Sequence, residues 1–143
     1  MKYSVHNFEP SEAENKIMDI LNELEIEFLK DVKYENLGLY FDFLLPEYNI
    51  LIEYNGKQHY DPYHEYHHGD YRSFEIQVYN DERKKEFCKL HGIKYLVYNS
   101  KDWFNLEDII WKDISRYYYN PKKFTERKKD WFEKQPDYKY NRR

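Results

Sequence analysis

Tyr40-Phe41-Asp42-Phe43-Leu44-Leu45, a turn at Pro46-Glu47-Tyr48-Asn49, then Ile50-Leu51-Ile52-Glu53-Tyr54-Asn55 is the stretch that decides how this chain folds. Each arm is of strand length, rich in aromatic and branched apolar residues, and bounded by turn formers, so the two read as an antiparallel hairpin. Each also carries one carboxylate among apolar neighbours, Asp42 and Glu53. A turn symmetric about residues 46–49 pairs Leu45 with Ile50, and continuing the register sets Asp42 opposite Glu53. Opposed Cβ atoms on one face lie about 5 Å apart, where like charges repel. A divalent cation offsets that repulsion, and two carboxylates plus waters are what Mg²⁺ accepts from a protein that handles phosphates. A register slipped by one residue would instead turn one carboxylate to solvent.

Upstream, Phe28 to Tyr34 has the same strand character, making three consecutive antiparallel strands: 28–34, 39–45 and 49–55. Before them, Ser11 followed by Glu14 is a capping-box pattern, and Ile17, Ile20, Leu21 and Leu24 recur at helical spacing. A helix is expected from about Glu12 to Leu24. Its Glu14 can be satisfied by the Ser11 backbone alone, but residues 14, 17, 21 and 24 share one face, so it also projects toward the sheet.

Downstream, Gly56 lets the backbone leave the strand, and Lys57, Gln58 and His59 follow at once. A histidine just past two carboxylates, with an ordinary pKa of roughly 6.5, can take a proton from metal-bound water. Residues 56–73 have little periodicity and read as a loop. A helix is expected from Glu75 to His91, stopped by Gly92, then a strand from Ile93 to Tyr98 and a third helix at about 105–118 with Asn105 as N-cap. Asp81, one turn before Lys84 and Lys85, by itself has the pattern of solvated helical charge.

With 143 residues the chain suits one domain, expected over 1–118 with its core at about 10–98, followed by a basic aromatic arm at 119–143. No apolar run approaches the roughly 20 residues of a membrane span. Nothing at the N-terminus has the pattern of a signal peptide, and the single cysteine, Cys88, fits a reducing, intracellular compartment. Aromatics make up 20 % of the chain while glycine occurs four times. AT-rich codons explain such a bias without any function, and would suit a viral or phage gene.

Taken in order, Glu14-x-x-Ile17, Tyr40-Phe41-Asp42-Phe43, Ile52-Glu53-Tyr54-Asn55-Gly56-Lys57-Gln58-His59-Tyr60, and Asp81-x-x-Lys84 leading to Cys88-Lys89-Leu90-His91-Gly92-Ile93 resemble the PD-(D/E)XK nuclease superfamily. Within it they are most similar to the branch of very-short-patch repair endonucleases and phage-type homing endonucleases. The resemblance implies a restriction-endonuclease-like α/β (α+β) fold with an αβββαβ core, its mixed central sheet flanked by helices, and a C-terminal helical extension. It implies an Mg²⁺-dependent endonuclease that hydrolyses DNA, with Mn²⁺ able to substitute. By the same resemblance Glu14, Asp42, Glu53, His59 and Asp81 are the catalytic set, Asp42 and Glu53 the metal ligands, and Lys57, Gln58 and Lys84 contacts to DNA. The chain departs from the signature at Asn55, which stands where a lysine is usual, and at Ala13, which replaces a glycine.

Two other readings compete. One is a nucleic-acid-binding protein that keeps the fold without chemistry, which Asn55 allows. The other is a zinc site built from His59, His64, His67 and His68, although zinc sites in short loops usually include cysteine or well-spaced pairs. Dimerisation is left open.

The net charge of −4 conceals an asymmetry: from Asn120 to Arg143 nine Lys/Arg face four Asp/Glu, giving +5 there and −9 before it. Lys122, Lys123, Arg127, Lys128 and Lys129, interleaved with Phe124, Trp131 and Phe132, suit a phosphate backbone and its bases. A solvated tail would have the same composition. Deleting residues 121–143 is expected to weaken DNA binding and flatten its dependence on salt, measured by titrating a labelled duplex at several ionic strengths.

Overall fold

Ser11 Oγ accepts a hydrogen bond from the Glu14 N–H (3.1 Å) while Glu14 Oε1 accepts one from the Ser11 N–H (2.9 Å). This reciprocal cap starts the first helix where the sequence places it. In the computed structural model, which describes residues 1–56 and 71–118, the chain runs β1 (Tyr3–Val5), α1 (Glu12–Glu23), β2 (Leu29–Tyr34), β3 (Tyr40–Leu45), β4 (Ile50–Asn55), α2 (Tyr71–Leu90), β5 (Lys94–Asn99), a 3₁₀ segment (Ser100–Asn105) and α3 (Leu106–Tyr118). Among the described residues this is an α+β fold with one mixed five-stranded sheet and three α-helices. None of these helices is long and apolar enough to cross a membrane.

The strands lie in the order β1-β2-β3-β4-β5, antiparallel up to β4, while β5 runs parallel to β4. A parallel neighbour needs a long crossover, and α2 lies within it. The β3–β4 register is the one the symmetric turn predicts: Leu45 opposes Ile50, Leu44 opposes Leu51, and Phe43 opposes Ile52. Ile50, Leu51, Ile52 and Glu53 are all buried, so β4 is covered on both faces. On one of them Phe87 and Cys88 of α2 pack with Val32, Tyr34, Phe41, Leu44 and Leu51.

Two boundaries differ from the sequence reading. α2 is already helical at Tyr71, four residues before the expected Glu75, so residues 71–73 are not loop. Among its described positions only Phe87 and Cys88 are buried, so its first half has no apolar stripe by which to recognise it. β1 was not anticipated; three exposed residues at a sheet edge are too few to show alternation.

The chain divides into two compact units, Met1–Trp103 and Phe104–Arg143. The first holds the sheet with α1 and α2. The second holds α3, whose Leu106, Ile110, Trp111 and Ile114 are buried at helical spacing.

Phe87 meets the rings of Tyr34 (5.1 Å), Phe41 (6.3 Å) and His91 (4.5 Å). Phe87→Ala is expected to destabilise the protein by about 3–4 kcal/mol through lost burial and the cavity left behind. The same change at Phe104, 92 % exposed, should stay within about 0.5 kcal/mol; urea unfolding of both variants checks the contrast.

Candidate functional site

The ladders leave gaps at the carboxylates. Between β2 and β3, Lys30 pairs with Phe43 and Val32 with Phe41, so Asp31 and Asp42 fall opposite each other in the missing rung. Between β3 and β4 the pairing stops at Phe43 and Ile52, one step short of Asp42 and Glu53. Three carboxylates therefore fall on one line across three neighbouring strands, and regular pairing gives way there. Asp31 takes a left-handed backbone (φ +57°), which a non-glycine residue adopts at some cost. The Tyr54 N–H donates to Asp42 Oδ2 (2.8 Å), so the β4 backbone binds a side chain at this point. Phe41 and Leu44, three residues apart, both join the Phe87 cluster, so the alternation of β3 also breaks between them.

Oxygens of Glu14, Asp31 and Asp42 lie within 4.8 Å of one another. Glu14 thus does both things its position allows: Oε1 caps the helix, while Oε2 lies 3.9 Å from Lys30 Nζ. Lys30 is buried, bonds to Asp31, and donates to the Phe8 carbonyl (2.8 Å). Asp31 also accepts from the Phe8 N–H (2.7 Å). Burial pushes the Asp42 carboxyl up to about 8; Glu53 and Glu14 push the same way, while the Tyr54 N–H and Lys84 oppose.

Glu53 is held differently. Lys84 of α2 donates to Oε1 (2.6 Å) and the Tyr95 hydroxyl of β5 to Oε2. Burial, followed by the Glu53 charge and hydrogen bond, raises Tyr95 far above the ordinary tyrosine range, so it remains a donor. Asn55 is buried, and among the described residues its Oδ1 has no hydrogen-bond partner. Asp81 lines one cleft with Lys84 and Tyr40, and burial raises its carboxyl against the pull of Lys84 and Lys85. Burial, followed by the Glu53 charge, pushes the Cys88 thiol up to about 12, away from the thiolate form.

Of the residues singled out from sequence, Glu14 and Asp42 meet in one cluster, and Glu53 and Lys84 pair beside it. Lys84, expected on DNA, is bound to Glu53. His59, Lys57, Gln58, His64, His67 and His68, and the arm residues Lys122, Lys123, Arg127, Lys128 and Lys129, lie outside the described residues. The reading missed Asp31, Lys30 and Tyr95. The turn symmetry used for β3 and β4, applied to Glu35–Gly38, would have paired Asp31 with Asp42, but the neighbouring Lys30 disguises Asp31 as surface charge.

The donor set fits a hard divalent cation: carboxylate oxygens from a helix and two strands, with Glu53 alongside. With all four carboxyls ionised, Glu14, Asp31, Asp42 and Glu53 against Lys30 and Lys84 leave two negative charges, the amount a divalent ion neutralises. Comparison with protein-family models, curated proteins and solved structures returned no match.

The raised Asp42 carboxyl has a pH signature. Its neutral form stabilises the fold fully below the unfolded value near 4, and this stability is lost as pH rises through about 8. In EDTA, Asp42→Asn should therefore gain Tm over wild type as pH goes from 5 to 9, by several degrees in all. Mg²⁺ should raise the wild-type Tm at pH 8 and leave the variant's unchanged. Thermal melts across that range check both.

Proposed function

We propose that the chain is a metal-dependent endodeoxyribonuclease of the PD-(D/E)XK type, within the very-short-patch repair and homing branch. The observation that carries this reading is the convergence of Asp42 with Glu14 and Asp31, beside a Glu53 that Lys84 engages. The run α1-β2-β3-β4-α2-β5 supports it as well, because its order is the αβββαβ order the sequence resemblance implies.

Asp42, Glu14 and Asp31 would hold Mg²⁺, with Glu53 adjoining. When bound, such an ion would make a nearby water more acidic and would offset the charge of the scissile phosphate. His59, three residues beyond Gly56 in sequence, takes the proton of the attacking water as general base, a task Asn55 cannot perform. A P–O bond forms to the water oxygen while one P–O ester bond to a deoxyribose oxygen breaks, and that oxygen leaves as a hydroxyl after taking a proton from solvent, so the products are a phosphomonoester and an alcohol. Tyr54 and the Ser11 cap hold Asp42 and Glu14 in place through backbone hydrogen bonds, so neither carboxylate needs to be ordered when substrate arrives. Tyr95 and Lys84 hold Glu53, and Lys84 stands ready to exchange Glu53 for a phosphate oxygen.

A second reading, DNA binding without cleavage, is favoured by Asn55 at the signature's lysine position and by Lys30 bound to Asp31 within the cluster. Nicking of supercoiled plasmid in Mg²⁺ or Mn²⁺ separates the two. Wild type is expected to cut, with Asp42→Asn, Glu53→Gln and His59→Ala each slowed by about 100-fold or more. Cleavage undiminished in Asp42→Asn and His59→Ala would overturn the nuclease reading, and tight binding with no cutting would establish the second.

A further inference from the structure

Lys30 is 5 % exposed, in a place where a lysine rarely settles without partners. Its partners belong to the candidate site or lie against it. Lys30 Nζ bonds to Asp31, donates to the Phe8 carbonyl (2.8 Å) and lies 3.9 Å from Glu14 Oε2. An ammonium group carries three donors and no acceptor, and three protein oxygens surround this one. The Phe8 N–H in turn donates to Asp31 Oδ2 (2.7 Å), so the backbone of one residue grips both members of the pair. Lys30 is therefore a fixed charge within the cluster.

The carboxylates around it are each held by one oxygen. Glu14 Oε1 accepts from the Ser11 N–H (2.9 Å), Asp31 Oδ2 from the Phe8 N–H, and Asp42 Oδ2 from the Tyr54 N–H (2.8 Å). Among the described residues this leaves Glu14 Oε2, Asp31 Oδ1 and Asp42 Oδ1 for a cation. Glu53 adds none, because Lys84 holds its Oε1 and Tyr95 its Oε2. Sites with two metal ions hold them about 3.5–4 Å apart, which calls for carboxylates whose two oxygens reach both ions. Three oxygens, one from each carboxylate, suit a single ion whose shell is completed by water.

Charge gives the same count. Glu53 and Lys84 pair with each other (2.6 Å). With its carboxyls ionised, the cluster proper is then Glu14, Asp31 and Asp42 against Lys30, three negative charges against one positive. One divalent ion neutralises the two that remain. A second would leave two positive charges uncompensated within an apolar sheet, which is costly. Without Lys30 three negative charges remain, and one ion no longer suffices.

We propose that Lys30 stands in for a second divalent ion and so limits the cluster to one. This rests on the nuclease reading and adds to it the number of ions the site takes. Enclosed by protein oxygens, Lys30 acts through Asp31 and Glu14, as a positioning residue.

The test titrates Mn²⁺ onto the full, metal-stripped chain. Bound ions are counted by calorimetry and by electron paramagnetic resonance, in which two neighbouring Mn²⁺ ions broaden each other's spectrum. Wild type is expected to take one ion per chain, with the spectrum of an isolated ion. Lys30→Met removes the charge at similar length and leaves Asp31 buried without its counter-ion, so its Tm should fall in EDTA. Mn²⁺ should raise that Tm by more than it raises the wild-type value, and the variant should take two ions with a coupled spectrum. Two ions on wild type, one ion on Lys30→Met, or a Lys30→Met fold that Mn²⁺ does not recover overturns this role of Lys30 and leaves the nuclease reading intact. No ion on wild type overturns this role and the metal dependence of the nuclease reading together.

Discussion

Like charges crowded into an apolar sheet are the constraint around which the rest of this structure is arranged. Asp31, Asp42 and Glu53 fall on one line across β2, β3 and β4, and Glu14 enters the same region from α1. A regular sheet would place these groups in consecutive rungs among Phe41, Phe43 and Ile52, all of them fully buried. Carboxylates so placed must be neutralised, paired or hydrogen-bonded. Each answer occurs here: Asp42 is pushed toward its neutral form, Asp31 pairs with Lys30, and Glu53 takes a lysine and a tyrosine.

These answers come from distant parts of the chain, which ties the fold to the site. Lys84 can reach Glu53 only because the crossover between β4 and β5 places α2 over that face. Tyr95 opposes Leu51 in the parallel ladder, two rungs from Glu53, and its hydroxyl closes the gap. Glu14 reaches the cluster because Ser11 starts α1 where it does. The left-handed turn of Asp31 aims adjacent residues, Lys30 and Asp31, at the same Phe8 backbone. Interrupted pairing and strained backbone concentrated at one spot are the local cost of holding charge there, and they set this spot apart from the regular sheet.

Much of this was legible in the sequence. Elements with strong local signals, the capping box of α1 and the apolar arms of β3 and β4, lie within a residue of their expected bounds, and turn symmetry predicted the observed β3–β4 register. Elements that depend on neighbours were not legible. The exposed first half of α2 has no periodic stripe, and β1 exists only because β2 offers it an edge. Asp31 escaped for a related reason: a Lys-Asp pair in sequence is ordinarily solvated, and only burial makes it a counter-ion and its acid.

The sequence by itself determined which residues carry charge into the apolar strands, and the register that brings Asp42 toward Glu53, because both follow from local pattern and turn length. Tertiary structure alone decided that Glu53 would be engaged by Lys84 and Tyr95, and that Asp31 would complete the cluster with Glu14 and Asp42. Those outcomes depend on burial and on long-range placement. Both set the energy of a charge or a polar atom, and neither is written in the spacing of residues along a chain.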